Sequence, residues 1–171
     1  KDSRRAMGKL ATFVRNQLRS KVIAVAGSNG KTSTKHLIQA ALEGKLRGSI
    51  SPKSYNNDIG VPLAIFPADP LQDFLVLEMG TNHPGEIKLL SEMARPDTAV
   101  ITNCGAEHLE FLGDLMGVRR ENADIISGLN PKGTLIVNGD DPELLQAIDG
   151  FQGQTITFGF SETNDLFASH I

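Results

Sequence analysis

Short apolar runs alternate with helical patterns along this chain, and that alternation restricts the fold more than any other feature. The runs are 22–26 (Val-Ile-Ala-Val-Ala), 74–78 (Phe-Leu-Val-Leu-Glu), 98–102 (Thr-Ala-Val-Ile-Thr), 134–138 (Thr-Leu-Ile-Val-Asn) and 154–158. Near-continuous apolar runs of this length suit strands buried on both faces. Helical patterns fill 32–43, 84–94, 114–128 and 141–148. Strand and helix in turn predict an α/β fold, a mainly parallel sheet flanked by helices. Pro62, Pro67 and Pro70 mark a loop-rich connection after the first of these helices. Residues 3–19 read as one more helix, with Met7, Leu10, Val14 and Leu18 at helical spacing. The chain starts on Lys1, so 1–20 is expected to be a linker helix from an N-terminal domain outside the sequence. Residues 21–171 are then the domain itself.

Composition excludes several classes. At 171 residues the chain is one domain with room for a real core. A net charge of −3 gives no electrostatic basis for binding nucleic acid or an anionic membrane. No apolar run approaches the roughly 20 residues of a membrane span, and the charged N-terminus lacks a signal-peptide core. A single cysteine, Cys104, allows no internal disulfide, which suits a cytoplasmic protein.

The first apolar run leads into Gly27-Ser28-Asn29-Gly30-Lys31-Thr32-Ser33, and a helix follows. Strand, glycine-containing turn carrying Lys-Thr, then helix is how a nucleoside triphosphate is held. Backbone N–H groups of the turn and the helix N-terminus face the phosphates. Lys31 reaches the outer phosphates, and the Thr32 hydroxyl can ligate Mg²⁺. The longer P-loop pattern has a glycine where this chain has Val25, so the match is to the shorter form G-x-x-G-K-T.

In such folds ligands bind beyond the carboxyl ends of the strands. The residues just after each run are therefore candidates. Glu78 ends an apolar run, where a carboxylate needs a partner; it either holds Mg²⁺ or forms an ion pair. Asn103 and His108 follow the third run, and Asn138, Asp140 and Asp141 the fourth. Asn56-Asn57-Asp58 fits an Asx turn as well as a binding loop. The Asp140-Asp141 pair also fits a cap on the helix near Pro142.

Taken in order, GSNGKTST, YNNDIGVP, LEMGTNHPGEI, ITNCGAEHLEFLG and LIVNGDDP resemble the central ATP-binding domain of the Mur ligases, a P-loop NTPase-like fold, over about residues 21–160. The strings are most similar to the branch that joins D-alanyl-D-alanine to UDP-N-acetylmuramoyl-tripeptide. The resemblance implies an ATP- and Mg²⁺-dependent peptide ligase of cell-wall peptidoglycan synthesis, working through an acyl phosphate. In that reading Lys31 and the backbone of Ser28 to Thr32 hold the β- and γ-phosphates. Thr32 and Glu78 place one Mg²⁺, and His108 helps place a second. Asn103 lines the pocket, Asn138 contacts adenine, and Asn56 and Asn57 lie near the γ-phosphate and the substrate carboxylate. Metal ions and a lysine would offset the repulsion between two approaching anions. A monomer is expected.

One position departs from the family. Its carbamylated lysine, about fourteen residues after the histidine, falls on Asn122, and asparagine carries no carbamate. Glu121 or Asp124 then supplies the missing oxygen, or the site works with fewer ligands, or this copy is catalytically weak. The family's N-terminal and C-terminal domains are also absent from the sequence, so the isolated chain is expected to fold without ligating. Three other readings remain: a folylpolyglutamate-type or different Mur-type ligase, a nucleotide-binding homologue without catalysis, and a generic P-loop kinase or GTPase.

Overall fold

A computed structural model describes residues 2–169; Lys1 and residues 170–171, at the edges of the expected segments, lie outside them. Among the described residues seven strands form one all-parallel sheet: β1 (Lys21–Ala26), β2 (Gly48–Ile50), β3 (Phe74–Glu78), β4 (Thr98–Ile101), β5 (Thr134–Asn138), β6 (Gln154–Gly159) and β7 (Leu166–Phe167). Their spatial order is β2-β3-β1-β4-β5-β6-β7. The helices are α1 (Ser3–Arg15), α2 (Lys31–Glu43), α3 (Gly60–Ile65), α4 (Glu86–Ala94), α5 (Leu109–Leu112), α6 (Leu115–Ala123) and α7 (Pro142–Ala147), with a 3₁₀ turn at Asp124–Ser127.

The sequence period of two explains the layers. Ala24, Ala26, Leu75, Leu77, Ala99, Ile101, Leu135 and Val137 point to one face, where they pack with residues of α1, α3, α4, α6 and α7. Their alternates Val25, Phe74, Val76 and Val100 point to the other and meet Ile38 and Leu42 of α2. Both faces are covered where the runs are most apolar, as a buried parallel sheet requires. Glu78 continues the Phe74–Val76 series, so its side chain falls on the α2 face.

Several boundaries differ from the sequence reading. The pattern over 114–128 breaks at Asp124 into α6 and the 3₁₀ turn. The N-terminal helix stops at Arg15, whose guanidinium donates to the carbonyls of Ala94 and Arg95. The proline-marked connection contains β2 and α3; Pro62 sits in the first turn of α3, where no intrahelical N–H is needed.

β1 lies centrally. Its register sets Val25 beside Glu78 of β3 and Ala26 beside Ile101 of β4. The chain leaves β3 on one side of β1 and enters β4 on the other, which makes the carboxyl end of β1 the switch point of the sheet.

Candidate functional site

The loop from Gly27 to Gly30 is held by the exit of β4. Gly27 has φ 123°, and a Cβ there would lie 2.1 Å from Thr102 Oγ1. Ser28 N–H donates to the Asn103 carbonyl (2.8 Å), and Asn29 N–H to Asn103 Oδ1 (3.1 Å). Thr102 and Asn103 donate in turn to the Asn29 carbonyl, at 2.6 and 3.2 Å. Gly105 N–H donates to Ser28 Oγ at 2.9 Å. Asn103 is thus a brace for the loop, and Thr102, which sequence reasoning missed, is a second.

Gly30 opens α2 in the left-handed region (φ 80°), and no side chain caps the helix. The first-turn N–H groups of this 13-residue helix, from Lys31, Thr32 and the exposed Ser33, face outward with the positive end of the helix dipole. Lys31 folds over the loop and donates to the carbonyls of Gly27 and Ser28. A ring of N–H donors with a lysine across it fits an anion of several phosphates.

Glu78 is 2 % exposed and fully engaged. Thr32 Oγ1 donates to its Oε2 at 2.9 Å, Lys35 Nζ to the same oxygen at 3.0 Å, and Asn56 Nδ2 to Oε1 at 3.1 Å. Lys35 is 0 % exposed and also escaped the sequence reading. The signal was available: Lys35, Ile38 and Leu42 share the helix face that meets the sheet. The two readings of Glu78, ion-paired or beside a metal position, are compatible here. The Thr32 hydroxyl and the Glu78 carboxylate are adjacent hard oxygen donors. Among the described residues no cluster of three or more His, Cys, Asp or Glu side chains would hold a metal alone. Two oxygen donors completed by phosphate and water fit Mg²⁺, which keeps much of its hydration.

A cavity of about 360 Å³ opens beside this pair, lined by Lys31, Asn56, Asn57, His83, His108 and others. His108 takes a left-handed conformation (φ 49°) at the start of α5. Asn57 Oδ1 accepts from the N–H groups of Ile59 and Gly60, so the expected Asx turn is present and starts α3. Asn138 lies at the end of β5, where its Oδ1 accepts from Asp140 N–H. Asp141 caps α7 through Leu144 N–H and pairs with Arg119. Asp140 reaches across to Phe160 and Ser161. A larger cavity, of about 580 Å³, lies at the opposite end of the sheet around Arg15, Arg95 and Asn130, far from these groups.

The sequence reading offers Glu121 or Asp124 as the source of an oxygen for a metal, and the structure gives both other surroundings. Glu121 is buried and caps α4 from outside: Gly85 N–H donates to it at 2.6 Å, Ile87 N–H at 2.8 Å, and the Thr81 hydroxyl lies 3.0 Å away. Asp124 lines a separate hollow with Met116, Arg120 and Glu143. Burial, followed by the neighbouring Glu121 charge, raises its pKa. Neither carboxylate lines the Lys31–His108 cavity. Asn122 is buried in α6 and donates to the Val118 carbonyl.

Comparison with known proteins agrees with this geometry. Residues 25–171 match the Mur ligase middle domain. The chain is 38 % identical to an Escherichia coli UDP-N-acetylmuramoyl-tripeptide–D-alanyl-D-alanine ligase, over 99 % of this chain and 39 % of that protein. It is 42 % identical to the Bacillus subtilis protein of the same name, over 96 % of this chain and 35 % of that one. The crystal structure of a MurF ligase from Thermotoga maritima in complex with ADP superposes with a TM-score of 0.87 at 32 % identity, covering 96 % of this chain and 38 % of that one. The chain thus spans less than two fifths of the length of each.

Proposed function

Because the chain belongs to the Mur ligase family, we propose that it is the ATP-binding core of a peptide ligase that joins D-alanyl-D-alanine to UDP-N-acetylmuramoyl-tripeptide. The observation that carries this reading is that one polar cavity is lined by Lys31, the first residue of the uncapped α2, and by Asn56, which donates to the Glu78 carboxylate that Thr32 also holds.

The reaction has two steps. A peptide carboxylate attacks the γ-phosphorus of ATP, giving an acyl phosphate and ADP. The dipeptide amine then attacks the acyl carbon, and the tetrahedral adduct expels phosphate and loses a proton as the amide forms. N–H groups of the loop and of α2 bind the β- and γ-phosphates, and Lys31 exchanges its carbonyl partners for phosphate oxygens. Mg²⁺ beside Thr32 and Glu78 would neutralise phosphate charge. Asn56, Asn57 and His108 line one cavity, where Asn56 and Asn57 would lie near the substrate carboxylate and His108 would help place a second Mg²⁺, and Asn138 would contact adenine. In this reading α1 leads in from an N-terminal domain and the remainder is the central domain of a cytoplasmic monomer.

The test uses the full-length protein that contains this chain. ADP release should require both the UDP-linked tripeptide and D-alanyl-D-alanine. Turnover that ignores the tripeptide, or that prefers another amine from a panel, overturns the reading. Asn122 favours a second reading, a nucleotide-binding homologue with impaired ligation; tight Mg·ATP binding without ADP release would select it.

A further inference from the structure

Lys35 has no part in the chemistry above, yet it is the most deeply buried charge beside the site. Its side chain is 0 % exposed and its ammonium is engaged by protein acceptors alone. It has two partners: Glu78 Oε2 at 3.0 Å, and the carbonyl of Lys53. Lys53 is one of three non-glycine residues with positive φ (46°) among the described residues, so its carbonyl is turned out of the ordinary backbone path. Three residues on, Asn56 donates to the other oxygen of Glu78, and its carbonyl accepts from Gly80 N–H. One ammonium thereby joins the helix that follows the phosphate loop, the carboxylate beside Thr32, and the loop that carries Asn56 and Asn57.

We propose that Lys35 is a positioning residue that couples the phosphate side of the site to the 52–57 loop. By holding Glu78 Oε2 and the Lys53 carbonyl together, it makes the placement of Asn56 and Asn57 respond to what binds beside Thr32 and Glu78. Arrival of the Mg²⁺–nucleotide pair must redistribute the bonds at Glu78 Oε2, which Thr32 and Lys35 share. A shift at that oxygen passes through Lys35 to Lys53. Neutral residues of similar volume at both positions would leave no charge to bury, and a buried pair makes sense where it specifies a geometry.

The inference rests on the proposed nucleotide site, and the test separates the two. In the full-length protein, hydrogen exchange of amides 53–57 is measured with and without Mg²⁺ and a non-hydrolysable ATP analogue. Binding should slow exchange there at least threefold. In Lys35→Met, exchange of the free protein at 53–57 should rise about tenfold with β1 and β4 unchanged, and the response to nucleotide should vanish although the analogue still binds. Native exchange and a native response in that variant overturn the proposal. If Lys35→Met does not fold, the neutral double variant Lys35→Met/Glu78→Gln is compared with Glu78→Gln alone; equal exchange at 53–57 overturns it. A measurement without substitution stands beside these: the ¹⁵Nζ resonance of Lys35 should move as the Mg²⁺–analogue pair saturates, and a stationary resonance counts against the proposal. Absence of any nucleotide response at Gly27–Thr32 would instead sink the nucleotide site, and the free-protein exchange would still decide the role of Lys35.

Discussion

Gly27 carries the tightest steric constraint in the phosphate loop. A methyl group there would meet Thr102 Oγ1 at 2.1 Å and the Asn103 carbonyl at 3.0 Å, at a φ of 123° that L residues avoid. Gly27→Ala is expected to destabilise the protein by about 2–4 kcal/mol, from strain and overpacking together, read as a lower urea midpoint. Lys31 behaves differently, because its present partners are loop carbonyls that water can replace. Lys31→Ala should leave the urea midpoint almost unchanged. Calorimetry should show nucleotide affinity falling roughly 10- to 100-fold, the loss of one charge-assisted set of bonds. Cys104 follows from burial. Burial, then the nearby Asp141 charge, pushes its thiol up to about 12, so the reactive thiolate is scarce at neutral pH. A disulfide reagent at pH 8 should modify the folded protein orders of magnitude more slowly than the urea-unfolded one.

Between elements, carboxylates fasten ends that would otherwise stay open. Glu121 of α6 accepts from Gly85 and Ile87 at the start of α4. Glu121→Ala strands both N–H groups and should cost about 2–4 kcal/mol; Glu121→Gln, which keeps one acceptor oxygen, should cost less. Equal urea midpoints for the parent and Glu121→Ala would refute the capping role. Asp140 links the exits of β5 and β6. The Phe160 N–H, then the Asn164 amide and the Ser161 N–H, hold its carboxyl below the usual carboxylate range. A pKa lower in the folded state gives stability that is present above the unfolded value and is lost as pH falls through the folded one. Amide shifts of Phe160 and Ser161 should therefore titrate below about pH 3.9. This scale also shows what the sequence made legible. β1, β3 and β4 were visible because strands buried on both faces read as apolar runs, β5 because its alternate residues are buried, and β6, which has no buried residue, only from its β-rich composition. β2 and α3 were not, since Gly48–Ile50 is three residues long and Pro62 reads as a breaker unless it is known to lie in a first turn. The phosphate loop and Glu78 were legible from their place after strands. The burial of Lys35 could be read from its helix face, but its pairing with Glu78 and the capping role of Glu121 could not, because the partners lie 43 and 34–36 residues away and only folding brings them together.

Across the whole molecule, stability and ligation have separate requirements. The two packed faces of the sheet supply a large core that runs from α1 to α7 and a smaller one under α2, which is what an independently folding domain needs. In the proposed reading, nucleotide contacts come from loops at β1, β3, β4 and β5. The 171-residue chain is therefore expected to unfold in one transition and to bind Mg·ATP. At ligand a hundred times its Kd the stabilisation is about 2.7 kcal/mol, which raises Tm by roughly 5–10 °C for a domain of this size. Ligation asks for more. The acyl phosphate must be kept from water until the amine arrives, and the cavity between Lys31 and His108 opens at the sheet edge with His108 exposed. The chain alone should consequently shift in Tm with nucleotide yet yield no amide from the UDP-linked tripeptide and D-alanyl-D-alanine, while the full-length protein does both. Amide formation by the 171-residue chain at a rate comparable to the full-length protein would refute this separation, because closure over the acyl phosphate would then be unnecessary.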